Sequence, residues 1–154
     1  MPIGPLMRDR TPSPPPLRRF SARSAAPLDA NAEVARVLDD LAGTLVAARA
    51  IVEVAWLPAL RADPVPLRAV VRALLLDALA GRGGMAPRIR IAAERVDGDL
   101  CLSVADNGLS PQAHDGGRPV LQAEAVVARL GGRLWTEAGP DGGAVVRFTV
   151  PTPV

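Results

Sequence analysis

A carboxylate followed closely by a glycine, at the end of an alternating apolar segment, is the arrangement in this sequence best suited to binding a ligand. Residues 100–104 (LCLSV) alternate as a half-buried strand does, and they lead through Ala105 into Asp106-Asn107-Gly108, a turn signal. There the carboxylate of Asp106 can accept a hydrogen bond from an exocyclic amine, and Gly108 lets the backbone approach the ligand. The same residues also suit an ordinary turn with a solvated aspartate.

The composition favours a single domain with an aliphatic core. The chain has 154 residues, of which 49% are hydrophobic and only 3% are aromatic, and it contains neither tyrosine nor lysine. This length leaves room for one domain. The single cysteine, Cys101, excludes an internal disulfide and a cysteine-based zinc site, and its place within a strand predicts a small buried hydrophobe.

The charge is unevenly distributed along the chain. Residues 1–27 contain five arginines and one aspartate, a net charge of +4, and the whole chain carries +2, so the remainder carries −2. By charge, the remainder is therefore not a nucleic-acid-binding surface. Neither a membrane-spanning apolar segment nor a secretory signal is visible, and we expect a cytoplasmic protein with no membrane association.

Residues 1–27 also differ from the rest in containing seven prolines. Such a segment cannot bury enough apolar surface to offset its ordering entropy, so we predict a disordered or polyproline-type arm. Its segment 13–18 (SPPPLR) suits either a plain linker or a polyproline ligand for an aromatic groove.

Residues 28–154 show the pattern of one folded domain in which helices and strands alternate. Helices are predicted over 31–50, 66–80 and 120–130, and strands over 51–56, 88–94, 100–105, 133–137 and 144–150. Asp29 or Asn31 can cap the first helix, and residues 96–99 (VDGD) are typical of a hairpin turn. Strands in hairpins with interleaved helices predict an α/β (α+β) fold, a two-layer sandwich of a mixed, mainly antiparallel sheet with helices on one face.

Several segments occur in the order and at the spacing found in one family of ATPases. Residues 57–71 resemble the entry into that family's second helix, 73–78 lie where its asparagine-containing helix motif falls, 104–108 resemble its first glycine box, and 130–151 are similar to its closing segment. From residue 28 to 151 the chain thus resembles the ATP-binding (GHKL-type) domain of bacterial sensor histidine kinases. The same fold serves heat-shock chaperone, gyrase and mismatch-repair ATPases.

The resemblance implies an adenine nucleotide site with a magnesium ion. Asp106 would accept the adenine amino group, and Gly108 would let the base approach. Asp77 occupies the position of the family's metal-holding asparagine, and a carboxylate can hold magnesium. Because Asp77 lies three residues after Leu74 and seven after Val70, it faces the edge of the buried stripe. An exposed aspartate on the helix flank is the alternative.

The phosphate-binding part departs from the family's pattern. Only eight residues, 109–116, separate Gly108 from Gly117, so most of the lid that the family places over the nucleotide is missing. Gly117 remains where the family has the first glycine of a Gly-x-Gly motif. Pro119 replaces the second glycine and removes one backbone N–H donor for a phosphate. Arg118 is either a compensating phosphate cation or an exposed loop arginine.

Other elements of a complete histidine kinase are also replaced. The only histidine, His114, is not on a helical stripe, and the arm stands where the family has its dimerising helical hairpin, so we expect no autophosphorylation by this chain alone.

The resemblance then implies a degenerate ATP-binding domain that serves as a binding or regulatory module in two-component signalling. It would bind ATP or ADP with Mg²⁺ weakly, or not at all, and its partner would be a response regulator or a phosphoacceptor-histidine protein. The alternatives are an active kinase subunit that phosphorylates a histidine or serine of a partner in trans, and a remnant kept for dimerisation. Whether the chain is an enzyme stays open at this point.

Overall fold

The structure is a computed structural model that describes residues 27–80, 85–108, 118–140 and 142–151. Most of the predicted arm, the shortened lid with Gly117, and His114 lie outside the described residues. Within the described ranges the helices are α1 Ala30–Asp40, α2 Ala42–Ala47, α3 Pro64–Ala80 and α4 Arg118–Arg129. The strands are β1 Pro27–Leu28, β2 Ile51–Val54, β3 Leu60–Arg61, β4 Arg88–Val96, β5 Asp99–Asp106, β6 Leu134–Ala138 and β7 Ala144–Val150.

Five of these strands form one mixed sheet in the order β2-β4-β5-β7-β6. Strand β2 runs parallel to β4, and the other neighbours are antiparallel. A separate antiparallel pair joins β1 to β3, with Pro27 opposite Arg61. The predicted α/β (α+β) sandwich with a mixed, mainly antiparallel sheet is confirmed.

One face of the sheet packs against the helices and forms the core. Successive residues of a strand point to opposite faces, and Leu100, Leu102 and Val104 of β5 point to the helices, each no more than 2% exposed. They join one buried cluster with side chains from α1, α3 and α4, among which are Val34, Leu74 and Val127. Burying an aliphatic side chain of this size contributes about 1.5–3 kcal/mol, so this cluster positions the end of β5 firmly.

Local signals in the sequence account for several element ends. The Asp29 side chain caps α1 by accepting the Asn31 N–H at 2.9 Å. Asp97 and Gly98 connect β4 to β5 with φ of 53° and 85°, which is the conformation of a two-residue hairpin turn. Gly131, with φ of 87°, follows α4 and ends it. None of the described helices is long and apolar enough to cross a membrane.

The structure differs from the sequence prediction in two elements. The helix predicted over 31–50 is divided at Leu41, which is only 3% exposed and has φ of −99° and ψ of 8°. Gly43, a residue of low helix propensity, follows the break. The segment 60–64, which lies between the predicted strand 51–56 and the predicted helix 66–80, contains the strand β3, since two residues are too few for a periodic pattern to show.

Cys101 is buried as predicted, but not in the core between sheet and helices. It is 4% exposed and points to the other face of the sheet, beside Arg147. Burial raises the pKa of its thiol above the ordinary value. Its side chain therefore behaves as a neutral, apolar group at neutral pH.

Candidate functional site

Asp106 ends β5 with its side chain on the helix side of the sheet. It follows Leu102 and Val104 in the inward row, stands opposite the buried Ile89 of β4, and is 8% exposed. Together with Asp77 it is one of the two charged side chains found buried among the described residues. Because burying a carboxylate is costly without hydrogen bonds, its surroundings must supply donors.

The turn after β5 supplies the first of these donors. Asp106 Oδ1 accepts the Gly108 N–H at 2.8 Å, which closes a short turn over the carboxylate. An ionised carboxylate offers about four lone-pair positions. A carboxylate can therefore close a turn of this kind and also accept other hydrogen bonds.

Asn107 fixes the turn to the neighbouring strand. Its Oδ1 accepts the Arg88 N–H at 2.8 Å, and its Nδ2 donates to the Ala86 carbonyl at 3.3 Å. The start of β4 and the end of β5 are thus held together by one side chain. Sequence reasoning gave Asn107 no role beyond that of a turn residue, because its partners lie about twenty residues earlier in the chain.

Gly143 packs directly against the backbone of Asp106. Its φ is 73°, and a Cβ at this position would lie 2.0 Å from the Asp106 carbonyl oxygen. The Gly139 N–H donates to the Gly143 carbonyl at 3.1 Å, so the loop that carries Gly143 is itself closed. The sequence placed residues 139–143 in the closing segment, but it did not show that they support the strand end with Asp106.

Asp77 lies in the buried stripe of α3. It is 6% exposed, between Leu74 at 1% and Ala78 at 2%, so the exposed-flank alternative is wrong. The described residues contain no group of three or more side chains that could hold a metal ion. Magnesium is commonly held by one or two carboxylates together with substrate phosphates. A single buried carboxylate such as Asp77 fits that kind of site.

The predicted phosphate-binding residues are described only in part. Arg118 is the first residue of α4, whereas Gly117 lies outside the described residues. Helix α4 packs against α3, the helix that carries Asp77. The beginning of a helix offers free backbone N–H groups to phosphates, although Pro119 has none to offer.

Comparison with known sequences gives one distant relative. No protein-family profile matches the chain. A cyanobacterial phytochrome A from Nostoc sp. is 28% identical in an alignment of 114 positions that covers 62% of this chain and 15% of the relative. The chain therefore spans a small fraction of the length of that relative.

Comparison with solved structures shows the fold directly. The catalytic domain of histidine kinase ThkA matches with a TM-score of 0.70 and 18% identity, over 82% of this chain and 95% of that domain. Full-length ShkA in complex with AMPPNP matches with a TM-score of 0.70 and 23% identity, over 85% of this chain and 32% of ShkA. The chain has the fold of a histidine kinase ATP-binding domain, as its motifs predict.

Proposed function

We propose that this chain, which has the histidine kinase ATP-binding fold, is a degenerate ATP-binding domain that acts as a binding or regulatory module in two-component signalling. It binds ATP or ADP weakly and turns nucleotide over slowly or not at all. Its partner is a response regulator or a phosphoacceptor-histidine protein. The observation that carries the proposal is the buried Asp106, which is supported by Gly143, together with the eight residues that separate Gly108 from Gly117.

The adenine end of the site rests on Asp106 and Gly108. A hydrogen bond from the adenine amine to the Asp106 carboxylate is charge-assisted, and such a bond contributes about 1.5–3 kcal/mol. It gains in strength from the burial of Asp106, since little water competes for the carboxylate. The half-buried Gly108 has no side chain to obstruct the base.

The phosphate end is the weaker part of the proposed site. Asp77 would hold Mg²⁺, and Arg118 and the N–H of Gly117 would contact phosphate oxygens. Bound magnesium would neutralise part of the negative charge of the phosphates. Pro119 removes one N–H donor, and eight residues are too few to form the family's lid. The nucleotide would accordingly be held mainly by its base.

An affinity series on the full chain tests this division of the site. Adenosine, ADP and ATP with Mg²⁺ are expected to bind within about tenfold of one another, a spread of about 1.4 kcal/mol, because the phosphates contribute little. Phosphate release from ATP should not exceed that of an Asp77→Ala variant, which removes the oxygen donor. Binding of ATP far tighter than adenosine, with release of phosphate that the Asp77→Ala change abolishes, would contradict the proposal.

Tight binding of ATP with release of phosphate would favour the second candidate, an active kinase subunit that phosphorylates a partner in trans. This candidate is supported by the burial of both Asp77 and Asp106, since a carboxylate lies at each of the positions that the resemblance implies for metal and adenine. It predicts transfer of label from γ-labelled ATP to a histidine or serine of a co-purified protein. The Asp106→Asn and Asp77→Ala variants should abolish that transfer.

A further inference from the structure

The face of the sheet that points away from the helices carries a trough along β5. Its floor consists of small outward side chains of β4 and β5, namely Ala92, Cys101, Ser103 and Ala105. Two cavities of about 230 and 390 Å³, which share Glu94, Cys101 and Arg147, lie along this floor, and a third of about 460 Å³ at Ala105 is also lined by Asp106 and Asn107. The floor follows β5 over residues 99–105, about 20 Å of strand, which is enough for an extended segment of about seven residues.

One end of the trough is acidic. Four carboxylates and two arginines line the cavity at the β4–β5 hairpin, a net charge of −2: Glu94, Asp97, Asp99, Glu137, Arg133 and Arg147. Arg147 pairs with Glu137 at 3.2 Å. No ion pair within the described part of the chain neutralises Asp97 or Asp99.

An aromatic wall stands at the same end. The Trp135 indole N–H donates to Glu137 Oε2 at 2.6 Å, and the Arg133 guanidinium lies 4.8 Å from the centre of the indole ring. These contacts fix the orientation of the ring. An oriented indole beside a shallow floor is the kind of surface on which proline-rich segments dock.

We propose that this acid-ended trough binds residues 12–19 (PSPPPLRR) of the chain's own N-terminal arm. The prolines would lie on the small-residue floor against Trp135, and Arg18 and Arg19 would meet the carboxylates of Asp97 and Asp99. The charges agree, since residues 1–27 carry +4 and the remainder carries −2. A polyproline segment also loses little entropy on binding, because it is already extended.

The reach of the arm from β1 depends on the residues after Arg19. Seven residues, 20–26, lie between Arg19 and Pro27 at the start of β1, and the eight steps of an extended polyproline-type chain cover roughly 25 Å at about 3.1 Å each. A folded unit of about 120 residues has a radius of gyration of about 14 Å. The reach of the arm is therefore of the same order as the dimensions of the folded unit.

Paramagnetic broadening in NMR spectra of the full chain tests the proposal. In a Cys101→Ala background, a nitroxide is attached at Ser13→Cys. We expect selective loss of the amide signals of residues 97–101 and of the Trp135 indole signal, with the signals of α1 retained. Docking should weaken with salt, because the screening length falls from about 10 Å at 0.1 M to about 3 Å at 1 M.

Matched variants of the arm and of the trough make the test specific. Arg18→Glu with Arg19→Glu should remove the broadening, whereas Arg8→Glu with Arg10→Glu makes the same change in net charge and should leave it. On the trough, Asp97→Asn with Asp99→Asn should reduce it, and asparagine tolerates the positive φ of residue 97. The exposed pair Asp39→Asn with Asp40→Asn is the control.

Three outcomes would overturn the proposal. The first is broadening spread over the whole chain or concentrated on the helices. The second is broadening that survives the charge reversal at Arg18 and Arg19. The third is equal broadening in a mixed sample, in which one chain carries the nitroxide without an NMR isotope and another carries the isotope without the nitroxide. Such broadening would show that the arm binds the trough of a second copy.

Discussion

Asp106 and Asp77 are carboxylates that folding has placed out of water, on β5 and α3 respectively. A buried carboxylate is costly unless it is hydrogen-bonded or paired, so the fold keeps few of them, and those that it keeps are candidates for contact with a ligand or a metal. Their positions could be predicted from the sequence, because each depends on the period of its own strand or helix. The contact of Gly143 with Asp106 could not, because it joins segments almost forty residues apart.

The glycines provide a graded test at the residue scale. Gly43 lies in α2, and a Cβ added there would have no atom of another segment within 4 Å. Gly43→Ala should therefore stabilise the chain by about 0.5–1 kcal/mol. Gly98→Ala, with φ of 85° and open space around it, should lose about 1–2 kcal/mol from backbone strain alone. Gly143→Ala adds overlap with the Asp106 carbonyl and should lose a further 1–3 kcal/mol or so.

Urea denaturation of the three variants measures these free energies of unfolding. Gly143→Ala should also weaken nucleotide binding, since the displaced backbone carries Asp106. Equal stability of Gly143→Ala and Gly98→Ala would show that the close approach to Asp106 does not constrain the native chain.

At the scale of elements, periodicity predicted α3, α4 and the five strands of the large sheet within a few residues at each end, but it predicted one helix where α1 and α2 are divided at Leu41. What it did not show was how elements are joined. The Asn31 side chain donates to the Leu57 carbonyl at 2.8 Å and accepts the Leu57 N–H at 2.9 Å. This pair of bonds ties the start of α1 to the segment after β2, and no local pattern signals a partner 26 residues away.

Removal of this tie should destabilise the chain. Asn31→Ala leaves the partly buried N–H and carbonyl of Leu57 without their partner, a loss of about 1–3 kcal/mol. Asp29→Asn is the control, because asparagine caps helices as well as aspartate does. Urea denaturation should separate the two variants, and an Asn31→Ala chain as stable as the control would contradict the assigned role.

The edge strand β6 carries a pH-dependent contact. Hydrogen bonds from the Trp135 indole and from Arg147 hold the pKa of Glu137 below its ordinary value. Because the pKa is lower in the folded chain, the contact stabilises the fold fully at any pH above the pKa of glutamate in the unfolded chain, about 4.3. This stabilisation is lost as the pH falls through the pKa of Glu137 in the folded chain. The contribution is modest, because the Glu137 side chain is 45% exposed.

Comparison with Glu137→Gln isolates this contribution. The difference in free energy of unfolding between the two chains should be constant near neutral pH and should shrink below about pH 4. Urea midpoints measured between neutral pH and pH 3 give the comparison. A difference that stays constant to the acid end would show that Glu137 has an ordinary pKa.

At the scale of the whole molecule, an aliphatic two-layer fold of the histidine kinase ATP-binding type carries the proposed nucleotide site and the proposed trough for the arm. The side chains of Asp106 and Asp77 lie on the helix side of the sheet, and the acidic end of the trough lies on the outer face. Motif order predicted the fold, because local pattern, turns and spacing agree with one another. The motifs predict function less directly than fold, because the same fold supports different activities and because the phosphate-binding part of this chain departs from the family's motifs.

Calorimetric titration of the full chain with Mg-ADP is the most direct test of the central claim, that Asp106 still forms an adenine site. The account predicts weak but saturable binding that is lost in Asp106→Asn, a change that keeps size and removes the charge. The exposed Asp40→Asn variant should bind as the original chain does. Absence of binding at millimolar nucleotide, or equal binding by Asp106→Asn, would contradict the account.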